Sequence, residues 1–117
     1  EHDNLWARII DLPTALAGRQ YQAPVDVVLE VTDRLLPANA GRWRLTADAF
    51  EVARVEPTDA SADLALDVRE LGAAYLGGTS LAGLAGAGLV TERTPGSLAR
   101  ASAAFGWPVA PVASWIF

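Results

Sequence analysis

The chain has no cysteine and no methionine, and its one histidine is His2. Without cysteine it forms no disulfide, no zinc–thiolate site and no thiol nucleophile. With His2 alone, neither a Ser/His/Asp triad nor a histidine-based metal site has the residues that it needs within the chain. The sequence therefore predicts no metal site and no self-contained active site of the hydrolase type.

The lack of methionine also bears on the origin of the chain. Translation begins with methionine, whereas this sequence begins with Glu1. We therefore expect the chain to be a processed product or a piece of a longer protein. A cytoplasmic location is the expectation, and secretion stays open because a missing start would also remove any signal peptide.

Basic residues are few, since all nine are arginine, and the net charge is −5. This balance argues against the clustered basic patch that nucleic-acid phosphates require, so we expect no nucleic-acid partner. Hydrophobic residues make up 51% and charged residues 20% of the chain, as in globular proteins. A length of 117 residues suits one core, which predicts a single domain over residues 1–117.

The longest uncharged stretch, residues 71–91, reads "LGAAYLGGTSLAGLAGAGLVT". Its length would suit a membrane-spanning helix, but six glycines interrupt it. The pattern favours two short buried helices that are separated at Gly77 and Gly78. Within it, "GLAGAG" lacks the spacing of a dinucleotide-binding loop and the Lys-Ser/Thr of a P-loop, so we interpret it as helix packing.

Apolar residues alternate with polar ones in several short runs, which is the pattern of half-buried strands. The clearest run is "PVDVVLEVTD", residues 24–33. Further strands are predicted at residues 5–11, 42–47, 50–56, 62–68 and, at the chain's end, 113–117. Because residues 42–47 and 50–56 are joined by a short connection, we expect them to form an antiparallel hairpin.

Helix signals lie between these runs. Pro13 suits the first turn of one helix, Thr79 or Ser80 caps another, and Thr94 followed by Pro95 begins a third. The total is about five strands and four short helices, with strands that are neighbours in sequence forming pairs. This predicts an α+β fold, with a mostly antiparallel sheet and short helices packed on one side.

Four carboxylates fall between residues 59 and 70, namely Asp59, Asp63, Asp67 and Glu70. Asp67 and Glu70 have the spacing of a capping box, and we interpret all four as capping and solubilising residues. From the residues alone, no complete catalytic site is predicted inside the chain. The pattern indicates a non-enzymatic module, either a carrier or pocket domain or a structural part of a larger enzyme.

The chain ends on "PVASWIF", with Trp115, Ile116 and Phe117 at the end. Chain ends are usually frayed and solvated, so a terminal aromatic ring is expected to be docked, and its carboxylate goes with it. Two interpretations stay open. The tail is a last strand that fills a core, or it delivers the terminal carboxylate into a site.

Several segments follow one another in the order and spacing of a known domain: "LWARIIDLPTALAGRQY", "VLEVTD", "NAGRWRL", "ADLALDVRELGAAYLGGTSLAGLAGAG" and the terminal aromatic residue. The chain thus resembles the C-terminal sterol-carrier-protein-like domain of the Eis (enhanced intracellular survival) family of GNAT acetyltransferases. The resemblance covers nearly the whole chain. It implies a sterol-carrier-protein-like fold and a domain that belongs at the C-terminus of a longer chain.

For function, the resemblance implies a parent that transfers an acetyl group from acetyl-CoA to amines, aminoglycoside-like or lysine amines among them, and that assembles as a hexamer. This domain would bind no cofactor itself. It would line the substrate cavity beside the GNAT domains of the same chain. The general acid would be a tyrosine of a GNAT domain, not Tyr21 or Tyr75, and Tyr75 is expected in the core.

The resemblance also assigns a role to the chain's last residue, because in that family the terminal carboxylate acts as the general base. By position this role falls on Phe117, with Trp115 and Ile116 beside the substrate. The chemistry is sound, since an α-carboxyl has an ordinary pKa of about 3.3–3.7 and is ionised at neutral pH. Ile116 is apolar and adds no second negative charge, which makes binding of a polycationic sugar less assured.

Two other functions stay open. The first is a free-standing lipid-binding module of the sterol-carrier type, with the glycine-rich helix pair lining a cavity. The second is a structural domain that mediates contacts within an oligomer.

Overall fold

The computed structural model describes residues 11–75 and 79–106, which form a five-stranded sheet and helices packed against it. The strands are β1 (Val25–Thr32), β2 (Gly41–Ala47), β3 (Arg54–Pro57), β4 (Leu64–Asp67) and β5 (Val90–Glu92). The helices are α1 (Leu12–Ala17), α2 (Val68–Tyr75), α3 (Leu81–Gly86) and α4 (Ser97–Ala104), and a short 3-10 helix spans Pro37–Asn39. The strand order in the sheet is β3-β2-β1-β4-β5. The α+β architecture predicted from the sequence is confirmed.

The prediction of a mostly antiparallel sheet is wrong, because the sheet is mixed. Strand β1 pairs with β2 in the antiparallel sense and with β4 in the parallel sense. The register explains why. Strand β3 ends with Pro57 beside Trp43, in the same row as Leu29, and β4 begins in that row with Leu64. Residues 58–63 carry the chain sideways without reversing it, so β4 runs in the direction of β1.

The connection 58–63 crosses the outer face of the sheet. One Arg42 nitrogen donates to the carbonyl oxygen of Ala60 at 3.2 Å, and the Asp63 N–H donates to the Val28 carbonyl at 2.8 Å. Val28 is only 7% exposed, although its side chain lies on the same face as Asp26. The middle of the outer face is therefore covered by the chain's own loop.

The core lies on the opposite face of the sheet. The apolar residues of that face and the buried residues of all four helices form a single cluster. Its members with 0% exposure include Leu12, Leu16, Tyr21, Leu29, Leu45, Leu64, Leu71 and Leu81. Since full burial of one leucine contributes about 1.5–3 kcal/mol, these side chains supply much of the driving force for folding.

Several local predictions are confirmed. Pro13 lies in the first turn of α1, where a missing N–H costs no intrahelical hydrogen bond. The Ser80 hydroxyl accepts the N–H of Gly83 at 2.9 Å and caps α3. Helix α2 ends in the uncharged stretch and α3 lies within it, but the expected break at Gly77 and Gly78 lies outside the described residues. None of the described helices is long and apolar enough to cross a membrane.

Other boundaries differ from the predictions. Helix α4 begins at Ser97, and the residue before it is Gly96 with a φ of 88°, so Thr94 and Pro95 precede the helix. The start is capped by a side chain from β5, since one Glu92 carboxylate oxygen accepts the N–H groups of Gly96 and Leu98 at 3.1 and 3.0 Å. Strand β5 was not predicted, because three residues are too few to show alternation. The predicted strands 5–11 and 113–117 fall on residues that the structure does not describe, apart from Asp11.

Candidate functional site

The three site residues predicted from the sequence, Trp115, Ile116 and Phe117, lie outside the described residues. The described chain leads towards them through Phe105 and Gly106, at the end of α4. Phe105 belongs to a buried cluster that we call the Arg19 centre, which consists of Arg19, Tyr21, Tyr75 and Phe105.

Arg19 is an arginine with only 5% of its surface exposed. One terminal nitrogen donates to the Tyr75 carbonyl at 3.2 Å, and the other donates to the Phe105 carbonyl at 3.1 Å. Tyr75 is the last residue of α2, and Phe105 caps α4. Carbonyls at a helix C-terminus lack intrahelical partners and carry the negative end of the helix dipole. A single guanidinium therefore binds one carbonyl at each helix end and joins both ends to the segment after α1.

Three aromatic rings surround the guanidinium. Its carbon lies 4.9 Å from the ring centre of Tyr21, 5.1 Å from that of Phe105 and 5.6 Å from that of Tyr75. The Tyr21 and Phe105 rings meet edge to face at 5.2 Å, and the Tyr21 hydroxyl donates to the Leu16 carbonyl at 2.6 Å. Cation–π attraction of this kind strengthens when water is excluded. The rings thus offset part of the cost of burying the charge.

Burial shifts the pKa values of this cluster. Desolvation lowers the pKa of Arg19 to about 10, against an opposing effect of Tyr21 and Tyr75, so the guanidinium stays protonated at neutral pH. Desolvation raises the pKa of Tyr21 far above its ordinary value and also raises that of Tyr75. Both tyrosines are buried. They are therefore core residues that pack around Arg19. This agrees with the expectation from the sequence that neither tyrosine is the general acid.

We expect both tyrosines to stay protonated above pH 10 for as long as the domain is folded. Their folded-state pKa values are raised, so their contribution to stability is complete below the unfolded pKa of about 10 and is lost as the pH rises further. Arg19 acts in the opposite direction above its pKa of about 10, because the folded state then releases a proton that the unfolded state keeps.

The measurement is an alkaline titration of tyrosinate absorbance. The native chain should show little tyrosinate at the pH where the same chain in guanidinium chloride is half ionised. Coincident native and denatured curves would contradict the buried, protonated state of Tyr21 and Tyr75.

Asp63 has a structural role that the sequence did not reveal. Its carboxylate accepts the Val28 N–H at 2.8 Å and the Thr94 hydroxyl at 2.6 Å, and its carbonyl accepts the Arg93 N–H at 2.8 Å. The residue therefore ties β1 to the segment that leads into α4. The capping and solubilising role that we predicted for Asp63 is incomplete. Its hydrogen-bond partners lie 31 and 35 residues away in sequence, where no local pattern indicates them.

A pocket of about 410 Å³ opens at the carboxyl ends of the parallel strands β1 and β4. It is lined by Asp33, Arg34, Leu35, Asp67, Val68, Arg69 and Gly72. Both carboxylates already have partners within the domain. Asp33 accepts the N–H groups of Leu35 and Leu36, and Asp67 accepts the Thr32 hydroxyl at 2.7 Å. Within residues 11–75 and 79–106, no group of three or more His, Asp or Glu side chains is placed to hold a metal ion.

Comparison with known proteins gives this fold its family. The family model described as "Sterol carrier protein domain" matches residues 12–114. The chain belongs to this family. This match and the similarity to proteins named N-acetyltransferase Eis, given next, confirm the resemblance seen in the sequence.

The sterol carrier protein domain is similar to parts of larger acetyltransferases. It is 59% identical over 109 residues to an uncharacterized N-acetyltransferase from Streptomyces coelicolor, covering 93% of this chain and 26% of that protein. It is 38% identical over 106 residues to N-acetyltransferase Eis from Mycobacterium tuberculosis, covering 88% and 25%. The chain thus spans about a quarter of the length of these relatives.

Solved structures show the same similarity. Eis1 from Mycobacterium abscessus has a TM-score of 0.74 and 39% identity, covering 88% of this chain and 25% of that one. A GCN5-related N-acetyltransferase from Kribbella flavida has a TM-score of 0.77 and 40% identity, covering 89% and 26%. These values support a shared fold for the domain. About three quarters of each of these two proteins lies outside the matched part.

Proposed function

We propose that this sterol carrier protein domain is the C-terminal part of an acetyl-CoA-dependent N-acetyltransferase that acts on amines. The observation that carries the proposal is the similarity of this chain to proteins named N-acetyltransferase, at 59% and 38% identity. In each case it covers about a quarter of the relative's length. An aminoglycoside-like or lysine amine is the proposed substrate class. The parent is proposed to work as a homo-oligomer, a hexamer by resemblance to the Eis family.

The domain's proposed task is to complete the substrate cavity of the parent. Tyr21 and Tyr75 are buried in the Arg19 centre, and Asp63 and Asp67 are engaged in structural hydrogen bonds. We therefore assign the acetyl-CoA site and the general acid to the GNAT domains of the parent. The sterol carrier protein domain binds no cofactor in this scheme.

The proposed chemical contribution is the carboxylate of Phe117. It would attract the ammonium form of the substrate and take its proton. The neutral amine would then attack the acetyl carbonyl of acetyl-CoA, the C–S bond would break, and the CoA thiol would leave with a proton from the general acid of a GNAT domain. Trp115 and Ile116 would contact the substrate beside it. A carboxylate acts efficiently only when its supporting residues hold it in place.

The alternative, a free-standing lipid carrier, has one observation in its favour. The pocket of about 410 Å³ falls within the range of small-molecule sites, about 300–1,000 Å³. However, four of its lining residues are charged, and it lies at a strand end instead of between sheet and helices. The space between sheet and helices is filled in the described part of the domain by fully buried side chains such as Leu29, Leu64 and Leu71.

Two assays separate these functions. We expect the full-length parent to acetylate primary amines with acetyl-CoA, and the 117-residue chain to be inactive and to show no saturable displacement of a fluorescent fatty-acid probe. Gly72→Leu serves as the matched variant, because a Cβ at Gly72 meets no atom within 4 Å and a larger side chain would fill the pocket. Saturable probe binding that Gly72→Leu abolishes would instead establish a lipid-binding module. A full-length parent without acetyl transfer to any amine would refute the acetyltransferase proposal.

A further inference from the structure

The connection between β2 and β3, residues 48–53, presents apolar side chains to solvent. We call it the β2–β3 tip. Phe50 is 56% exposed and Val52 is 86% exposed, although the rest of the large apolar residues in the described chain are mostly buried. Phe50 and Val52 lie two positions apart on this tip, and clustered exposed apolar residues mark interaction surfaces more often than scattered ones do.

The backbone at Phe50 is unusual as well. Its φ is 59°. In the described part of the chain, all other residues with a positive φ are glycines. Glycine adopts this left-handed conformation readily, whereas a bulky L-residue adopts it rarely and at an energetic cost. Costs of this kind concentrate where a conformation serves binding or catalysis. Stability of the isolated domain gives no reason to place phenylalanine here.

Hydrogen bonds hold the strained residue in place. The Phe50 N–H donates to the Tyr21 carbonyl at 2.8 Å, and the Gln20 side-chain amide donates to the Phe50 carbonyl at 3.1 Å. The neighbouring Gln22 N–H donates to the Ala104 carbonyl at 2.9 Å. The tip is therefore fixed on the segment that carries the Arg19 centre, with the Phe50 ring left exposed.

We propose that the β2–β3 tip is the docking surface for the acetyltransferase part of the same parent chain, which receives Phe50 and Val52 in an apolar depression. The inference rests on the proposed function, since it requires such a parent. The length of the relatives supports this occupant. This chain covers 26% of one of them, so about three quarters of such a parent lie outside this domain. The exposed acids Asp48 and Glu51 lie on either side of Phe50 in the tip, so a depression with a basic rim would complement it.

Docking at this tip has a consequence for the Arg19 centre. The bond from the Phe50 N–H to the Tyr21 carbonyl connects the tip directly to one member of that cluster. Tyr21 packs against Arg19, which binds the Phe105 carbonyl, so a partner docked at the tip would lie one residue from this centre. The surface thus joins the acetyltransferase part to the segment from which the chain continues towards Phe117.

Hydroxyl-radical footprinting with mass spectrometry tests the proposal without using activity. Phe50 should be oxidised several-fold faster in the 117-residue chain than in the full-length parent, at equal and low protein concentration. Equal oxidation in the two forms would overturn the proposal. Protection that appears in the parent only as its concentration rises would also overturn it, because a second copy would then be the occupant. Neither result depends on acetyl transfer, so failure here is distinguishable from failure of the proposed function.

The variant Phe50→Gly provides the second readout. In the 117-residue chain it should leave the melting temperature unchanged or raise it, because glycine relieves the left-handed backbone and removes an exposed ring. In the full-length parent the same change should lower the melting temperature by several degrees. Leu35→Ser, at an apolar residue that is 75% exposed on another loop, is the control and should shift both forms equally. Equal shifts of the two forms for Phe50→Gly would refute docking.

Discussion

Removal of Phe117 from the full-length parent is expected to reduce kcat for acetyl transfer by about 10²- to 10⁴-fold, the usual contribution of a general base. The deletion leaves Ile116 as the last residue and withdraws the carboxylate by one position. Appending two residues after Phe117 should have a similar effect, because the ring stays and the charge moves. Both variants should keep the melting temperature of the parent, which separates a catalytic loss from unfolding.

Two controls make the Phe117 prediction specific to the carboxylate. Phe117→Leu keeps the terminal carboxylate and removes the ring, so it should change KM more than kcat. A C-terminal amide on Phe117 keeps the length and the ring and removes the charge, so it should reproduce the loss in kcat. If deletion, extension and amidation all leave turnover unchanged, Phe117 has no role in proton transfer.

Arg19→Met is expected to lower the free energy of unfolding of the 117-residue chain by about 2–5 kcal/mol. The change leaves the buried carbonyls of Tyr75 and Phe105 without their guanidinium donor, and each unsatisfied group costs about 1–3 kcal/mol. Because the whole domain is stable by about 5–15 kcal/mol, this loss is a large fraction of the total. Urea unfolding measures it. Arg19→Lys should fall between, since an ammonium keeps the charge but does not match the two-carbonyl geometry of the guanidinium.

Arg42→Met is the matched control for Arg19→Met. Arg42 also donates to a backbone carbonyl, that of Ala60 at 3.2 Å, but it is exposed on the outer face of the sheet. Its replacement should change stability by about 0.5 kcal/mol or less. If Arg19→Met costs no more than Arg42→Met, the Arg19 centre does not stabilise the fold in the way proposed.

The sequence predicted those features whose causes are local. Alternation along residues 25–31 predicted β1, Pro13 predicted the start of α1, and the pair Thr79 and Ser80 predicted a cap for α3, which Ser80 provides. A strand's direction relative to a partner that is distant in sequence has no local cause. The parallel pairing of β1 with β4 therefore escaped, since it follows from the sideways path of residues 58–63.

The candidate site was predictable only in part, for the same reason. Arg19 lies in the polar run "GRQY", and nothing nearby shows that its carbonyl partners are 56 and 86 residues further along the chain. The left-handed Phe50 escaped because only glycine or asparagine normally signals such a backbone. The role of Phe117 stays a prediction, carried by family resemblance and not by any pattern in the chain.

The two end strands of the described sheet decide how another protein can recognise this domain. Strand β3 has four residues and finishes on Pro57, which has no N–H, and β5 has three residues and finishes on Glu92. Such short, charged or proline-ended edges give an extended peptide little ladder to join, which also limits aggregation by strand addition. At the two edges of the described sheet, a partner is therefore expected to recognise side chains more readily than to add a strand.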